Sequence, residues 1–216
     1  MFPGENETYR SARNALLEDE KELRRQIERV AAKRRELPLG GEVSEDYAFD
    51  GESGPVRMSE LFRKGKDSLV IYSYMFGPQM ENPCVSCTSI LDALDGETPH
   101  IIQRTNFVVV ARSPIERVLN FARPRGWRYL RLLSSASNSY NRDYRAEDEH
   151  GSQWPALNVF VRRDGTIHHF YNTELLYAKP EPGQDGRHVD MIWPLWNLFD
   201  FTPEGRGTDW YPRLTY

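Results

Sequence analysis

Two apolar runs do most to limit how this chain folds. Ser68-Leu69-Val70-Ile71-Tyr72-Ser73-Tyr74-Met75-Phe76 and Phe107-Val108-Val109-Val110-Ala111 are short, rich in β-branched and aromatic residues, and almost unbroken in hydrophobicity. A strand with one wet face alternates, so unbroken runs of this length belong to strands covered on both faces. Between them Ile90, Leu91 and Leu94 recur at helical spacing, and after Ser113-Pro114 so do Ile115, Val118, Leu119 and Phe121. Strand, helix, strand, helix is a parallel-sheet order, because parallel neighbours need a long crossover.

Antiparallel strands follow. Leu157–Val161 and Ile167–Tyr171 flank Arg163-Asp164-Gly165-Thr166, and an Asp-Gly pair between such runs signals a tight hairpin. Upstream, Tyr47-Ala48-Phe49 before the turn Asp50-Gly51, and Val56-Arg57-Met58 after Gly54-Pro55, predict a smaller hairpin, with a helical turn from Ser59 to Phe62. The expected fold class is α/β, a central mixed sheet flanked by helices. Thr8 to Leu37 carries Leu16, Leu23, Ile27, Val30 and Leu37 at helical spacing among charges, and Pro38 and Gly40-Gly41 end it. Residues 1–41 thus read as an N-terminal amphipathic helical extension and 42–216 as the main domain with a C-terminal aromatic segment. The extension is either an arm that pairs two copies into a homodimer or a helix packed on its own domain. Glu20 and Arg34 fall where a regular two-stranded seam requires apolar residues.

The net charge of -4, with both signs interleaved, supplies no field to hold a phosphate backbone, so nucleic acid is not an expected partner. No stretch reaches the roughly 18 apolar residues that span a bilayer, and Met1 to Arg10 lacks the basic and apolar regions of a signal peptide. The expectation is a cytoplasmic protein without membrane contact. Thiols there are kept reduced, which directs attention to the two cysteines, three positions apart in Cys84-Val85-Ser86-Cys87. A cysteine at the first turn of a helix after a buried strand meets unpaired N–H groups and the positive helix end, and both favour the reactive thiolate. A second cysteine one turn later lies on the same side and can attack a mixed disulfide formed at the first.

That setting resembles the thioredoxin superfamily, in which a two-cysteine helix is followed by a strand, a helix and a β-hairpin entered through a cis-proline. By that resemblance Pro155 in Trp154-Pro155 is the candidate cis-proline, with Trp154 facing the cysteines, and the two shape a substrate groove; an ordinary trans-proline opening a strand is the alternative. A closer resemblance is to the DUF899 family of bacterial thioredoxin-like proteins, often labelled predicted dithiol-disulfide oxidoreductases. It rests on Tyr74-Met75-Phe76-Gly77-Pro78 before the cysteines, Asp95-Gly96 with Pro99-His100, Ala111-Arg112-Ser113-Pro114, Gly126-Trp127-Arg128, Ser134-Ser135, Phe160 through Asp164-Gly165, and Asp200-Phe201-Thr202-Pro203-Glu204-Gly205-Arg206. The resemblance implies thiol-disulfide exchange with a protein or small-molecule substrate, Cys84 and Cys87 being catalytic. Val85 stands where a proline is common between the cysteines.

Two other chemistries suit the same pair. Two thiolates with an imidazole, for which His168 is the first choice ahead of His100 and His150, suit Cu(I) or Zn, although the copper chaperones this resembles have three residues between their cysteines. Peroxiredoxin-like peroxide reduction is suggested by Arg112-Ser113-Pro114 and the stretch Phe121 to Leu133. However, the residue three before Cys84 is Glu81 where those proteins have threonine, and Arg112 reads as a surface or salt-bridging residue. No Walker-type loop or GxGxxG fingerprint is present, so no organic cofactor is expected. Met191 through Phe199, with Trp193 and Trp196, either seals the core or caps a pocket beside the cysteines, and Lys179 to Gly186 reads as an exposed loop.

Overall fold

The computed structural model describes residues 2–176, 178–183, 192–207 and 210–215, and it contains two compact units, Met1–Leu39 and Gly40–Tyr216. The first holds helix α1 (Glu7–Arg35). Asn6 caps it, its side-chain oxygen accepting the Tyr9 N–H at 2.8 Å, and Lys33, Arg34 and Arg35 complement the negative end. Arg13 pairs with Glu20 at 2.9 Å, and Arg25 and Arg29 both pair with Glu22 at 2.8 Å, so the charges predicted along this helix bind one another.

The second unit is built on one sheet. Its strands are β1 (Ala48–Gly51), β2 (Gly54–Arg57), β3 (Ser68–Tyr74), β4 (Asn106–Ala111), β5 (Leu132–Ser134), β6 (Ala156–Arg163) and β7 (Thr166–Asn172), in the spatial order β2-β1-β5-β4-β3-β6-β7. β3, β4 and β5 are parallel, while β6, β7 and the β1–β2 hairpin pair antiparallel to their neighbours. Every residue of β4 is buried, as its unbroken apolar sequence requires. Helices α2 (Val85–Arg104) and α3 (Ile115–Arg125) make the crossovers, and short helices α4 (Tyr140–Asp143) and α5 (Pro194–Phe199) follow. The architecture is thioredoxin-like: a two-cysteine helix between central parallel strands, then a strand, a helix and an antiparallel hairpin.

Each sheet face carries its own core. Tyr72, Tyr74, Cys87, Leu91, Trp193 and Trp196 cluster on one side, and Phe49, Ile71, Val108, Val110, Tyr140 and Phe160 on the other. The aromatic segment therefore seals a core: Trp193 and Trp196 are 1% and 0% exposed, and the Trp193 indole N–H donates to Ser89 Oγ on α2 at 3.1 Å. Met191 and residues 184–186 of the expected loop lie outside the described residues.

Three local expectations are corrected. The first hairpin turns at Glu52-Ser53, not Asp50-Gly51, because Asp50 and Gly51 are held in register with Ser134 and Leu133 of β5 as well as with β2; Met58 leaves the strand for a 3₁₀ turn, Met58–Leu61. Helix α2 continues ten residues past Leu94, through Gly96 and Pro99. Two things favour the extension: Ile101 and Ile102 pack on the core, and the Asp95 carboxylate, 8% exposed, accepts the backbone N–H groups of Arg128, Tyr129 and Leu130 at 2.8–3.1 Å. Strand β5, just beyond that anchored segment, was not expected. The Asp164-Gly165 turn is as expected, with φ of 51° and 85°, the left-handed pair that a two-residue hairpin needs.

The outer edge of β7 is covered from Ile167 to His169. Gly40 N–H donates to the His169 carbonyl at 3.0 Å, His169 N–H to Gly41 O at 3.0 Å, and Val43 N–H to Ile167 O at 2.9 Å. Gly40 is required there, since a Cβ would lie 2.6 Å from the His169 carbonyl oxygen.

Candidate active site

Strand β3 ends at Tyr74, and a loop carries the chain to the entrance of α2, where Cys84 is the N-cap. Cys84 N–H donates to Met75 O at 3.0 Å, closing the loop on the strand that precedes it. The Cys84 carbonyl accepts from the Thr88 N–H at 3.0 Å and the Thr88 hydroxyl at 2.8 Å, and the Tyr74 hydroxyl meets that same Thr88 oxygen at 2.7 Å. Tyr74 and Thr88, the latter not singled out in the sequence, thus fix the cysteine's backbone.

Both cysteines are free thiols, Cys84 half-buried and Cys87 2% exposed. The Cys87 N–H points at Cys84 Sγ from 3.5 Å, the capping contact that a serine or aspartate commonly makes. The Cys84 thiol is lowered to about 6, first by the Cys87 thiol donating to it and then, against the cost of burial, by the Cys87 and Ser86 backbone N–H groups and the Ser86 side chain. Cys87 is pushed well up, because its proton is held by Cys84, because it is buried, and because ionising it would place a second negative charge beside the first. The Tyr72 hydroxyl and the Met75 N–H oppose that rise. The result is one accessible thiolate backed by one buried, protonated thiol, a division that serves a nucleophile and a resolving group.

Trp154 and Pro155 lie at the same end of the sheet: Ala156 pairs with Ser73, one residue before the end of β3. Trp154 is 44% exposed. The Trp154–Pro155 bond is trans, as is every described peptide bond, which corrects the cis-proline that the thioredoxin resemblance offered. The trans form is the lower in energy for an X–Pro bond by about 0.5–1 kcal/mol, and the segment is tied down in it, Trp154 N–H donating to Ala146 O at 2.9 Å. Gln153 packs against Gly77 so closely that a Cβ on Gly77 would lie 2.9 Å from Gln153 Cγ, which joins this segment to the loop before Cys84.

The three-ligand metal site is not assembled. His168 is opposite Val161, which is opposite Ser68 at the far end of β3 from the cysteines, roughly 20 Å along the strand. His100 is exposed far down α2, and His150 is exposed beside Glu149. Among the described residues no group of three His, Cys, Asp or Glu side chains could hold a metal ion. Arg112 is salt-bridging, its Nε on Glu147 at 3.0 Å and its Nη1 on the carbonyls of Ser135, at 2.8 Å, and Ala136. Arg117 was not singled out in the sequence, where only the apolar positions of its helix carried a signal. It reaches the loop before Cys84 and bonds four of its carbonyls.

The fold is that of a thioredoxin-like protein, with two free cysteines three residues apart at the entrance of α2. Solved structures similar in fold include a thioredoxin peroxidase I of Plasmodium yoelii, 20% identical, covering 73% of this chain and 88% of its own, with a TM-score of 0.46. A reduced 2-Cys peroxiredoxin of Plasmodium vivax is 18% identical over 73% and 93%, TM-score 0.48, and peroxiredoxin Q of Xanthomonas campestris is 14% identical over 72% and 94%, TM-score 0.48. No curated protein matches the chain. Residues 2–216 match the family described as bacterial protein of unknown function (DUF899), and the chain belongs to that family.

Proposed function

We propose that this protein is a dithiol-disulfide oxidoreductase. The observation that carries the reading is the asymmetry of the pair: a half-buried Cys84 lowered to about 6 at a helix entrance, with a buried, protonated Cys87 behind it. The Cys84 thiolate attacks one sulfur of a substrate disulfide, forms a mixed disulfide and releases the other sulfur as thiolate. Cys84 then no longer bears charge or holds the Cys87 proton, so the leading causes of the raised Cys87 value disappear. Cys87 loses its proton to solvent and attacks Cys84 Sγ, expelling the second substrate thiolate and leaving a Cys84–Cys87 disulfide. Two electrons pass to the substrate, and an external dithiol returns them. Trp154 and Pro155 shape the groove in this reading, supported by the exposed Trp154 ring at the cysteine end of the sheet. A reducing, cytoplasmic setting and the division into extension (1–41) and catalytic domain (42–216) belong to the same reading; among the described residues no helix is long and apolar enough to cross a membrane.

The test is trapping. Cys87→Ser, treated with glutathione disulfide, is expected to accumulate one mixed disulfide on Cys84 by mass, while the native protein passes to its internal disulfide. Absence of both products sinks the proposal. If hydrogen peroxide alone generates the internal disulfide, peroxide reduction replaces it.

A further inference from the structure

Between Tyr74 and Cys84 the chain has no strand or helix to hold it, and Pro78 and Pro83 contribute no N–H groups. Besides the Cys84–Met75 bond and the packing of Gln153 on Gly77, the loop is held from α3 and the residue Ser113 just before it. Arg117 Nη1 donates to the carbonyls of Gly77 at 3.2 Å and Pro78 at 3.3 Å and to Ser113 Oγ at 3.2 Å, while Nη2 donates to the carbonyls of Met80 and of Glu81, the latter at 3.0 Å. Its guanidinium carbon also sits 4.4 Å from the centre of the Phe76 ring. Ser113 completes the clamp, its N–H on Phe76 O at 2.8 Å and its hydroxyl on Gly77 O at 3.1 Å. One planar cation thus gathers four carbonyls of a loop that ends at Cys84, a task suited to the fixed fork of a guanidinium and not to the single ammonium of lysine.

We infer that Arg117 is the positioning residue of this site: by fixing the Gly77–Glu81 loop it holds Cys84 over the helix entrance where its thiolate is stabilised. The inference rests on the reading of Cys84 as the attacking thiol, but it makes a claim of its own about what sets that thiol's ionisation. Arg117 touches no reacting atom; it acts through the loop. Two of the four carbonyls it binds, those of Pro78 and Glu81, are in exposed contacts, where water can replace the guanidinium in a truncation variant.

The experiment is the pH dependence of Cys84 alkylation by iodoacetamide in Arg117→Ala, Arg117→Lys and, as a control on the same helix, Arg123→Ala, whose guanidinium contacts exposed Glu52. In Arg117→Ala the midpoint is expected to rise by about one pH unit, which is tenfold less thiolate well below the midpoint. Arg117→Lys is expected to fall between Arg117→Ala and the native protein, and supplies the answer if the alanine variant does not fold. A native midpoint in both variants, even with lowered thermal stability, overturns the inference, as does an equal shift in Arg123→Ala. Alkylation requires no substrate, so a shifted midpoint in a protein that forms neither the mixed disulfide in Cys87→Ser nor the internal disulfide in its native form upholds Arg117 and refutes exchange.

Discussion

The ionisation of Cys84 can be tested most sharply by removing the buried donor behind it. With Cys84 lowered to about 6, about 90% of it is thiolate at pH 7, against about 3% for a free thiol near 8.5. That thirtyfold excess does not become a thirtyfold rate. A less basic thiolate is a weaker nucleophile, and a Brønsted slope of about 0.4–0.5 over 2.5 units subtracts roughly 10–18-fold, leaving about two- to threefold at pH 7. At pH 5 the populations are about 9% and 0.03%, and the net excess grows to roughly 20-fold. The measurement is therefore a profile: the iodoacetamide alkylation rate of the reduced protein from pH 4 to 10, with the modified cysteine identified by mass. The native rate is expected to be flat above neutrality and to fall tenfold per unit below the midpoint. Cys87→Ala deletes the first cause of the lowering and should raise the midpoint, whereas Cys87→Ser keeps a hydroxyl donor and should move it less. A native midpoint near that of a free thiol, or a Cys87→Ala midpoint equal to the native one, refutes the account of the site.

Two further predictions concern the scaffold. Asp95→Ala leaves three backbone N–H groups without their acceptor and is expected to cost about 3 kcal/mol or more in urea unfolding; Asp95→Asn, which keeps one carbonyl oxygen, should cost clearly less, and equal losses would show that the cost is not one of lost acceptors. Gly77→Ala places a methyl against Gln153 Cγ and should slow glutathione disulfide reduction while leaving the Cys84 alkylation midpoint near native, because the displaced segment carries Trp154; an unchanged rate would separate that segment from the substrate path.

How much of this was legible in the sequence depended on whether the signal was local. β3 and β4 announced themselves because burial on both faces leaves no polar alternation, and the Asp164-Gly165 turn because its backbone demands those residues. The cysteines carried their own spacing. β5 did not, since three residues are too few for a period and the strand is held by β1 and β4 from distant parts of the chain. The first hairpin was misplaced for the same reason, its turn being set by the β5 register. The helical spacing of Ile90, Leu91 and Leu94 carried no signal beyond Leu94, whereas Asp95 is an anchor to the segment before β5, a role that no spacing reveals. Arg117 resembled any charged residue on a wet helix face until its partners, some forty residues earlier, were in view. The cis-proline was offered by resemblance, and the trans bond shows where the chain departs from that pattern.

The strap over β7 bears on how copies of this protein can meet. An open strand edge is a template for pairing with another chain, the route by which sheets merge across subunits or grow into aggregates. Gly40, Gly41 and Val43 occupy the β7 edge, and at the other end of the sheet β2 is four residues long with Pro55 inside it, a residue that cannot donate to a neighbour. Both flanks are thereby less open to a lateral partner, the β7 edge from Ile167 to His169 by the strap and β2 by its length and its proline. The cover over this part of the edge accordingly depends on Gly40, where any side chain at all would push the strap away from the His169 carbonyl.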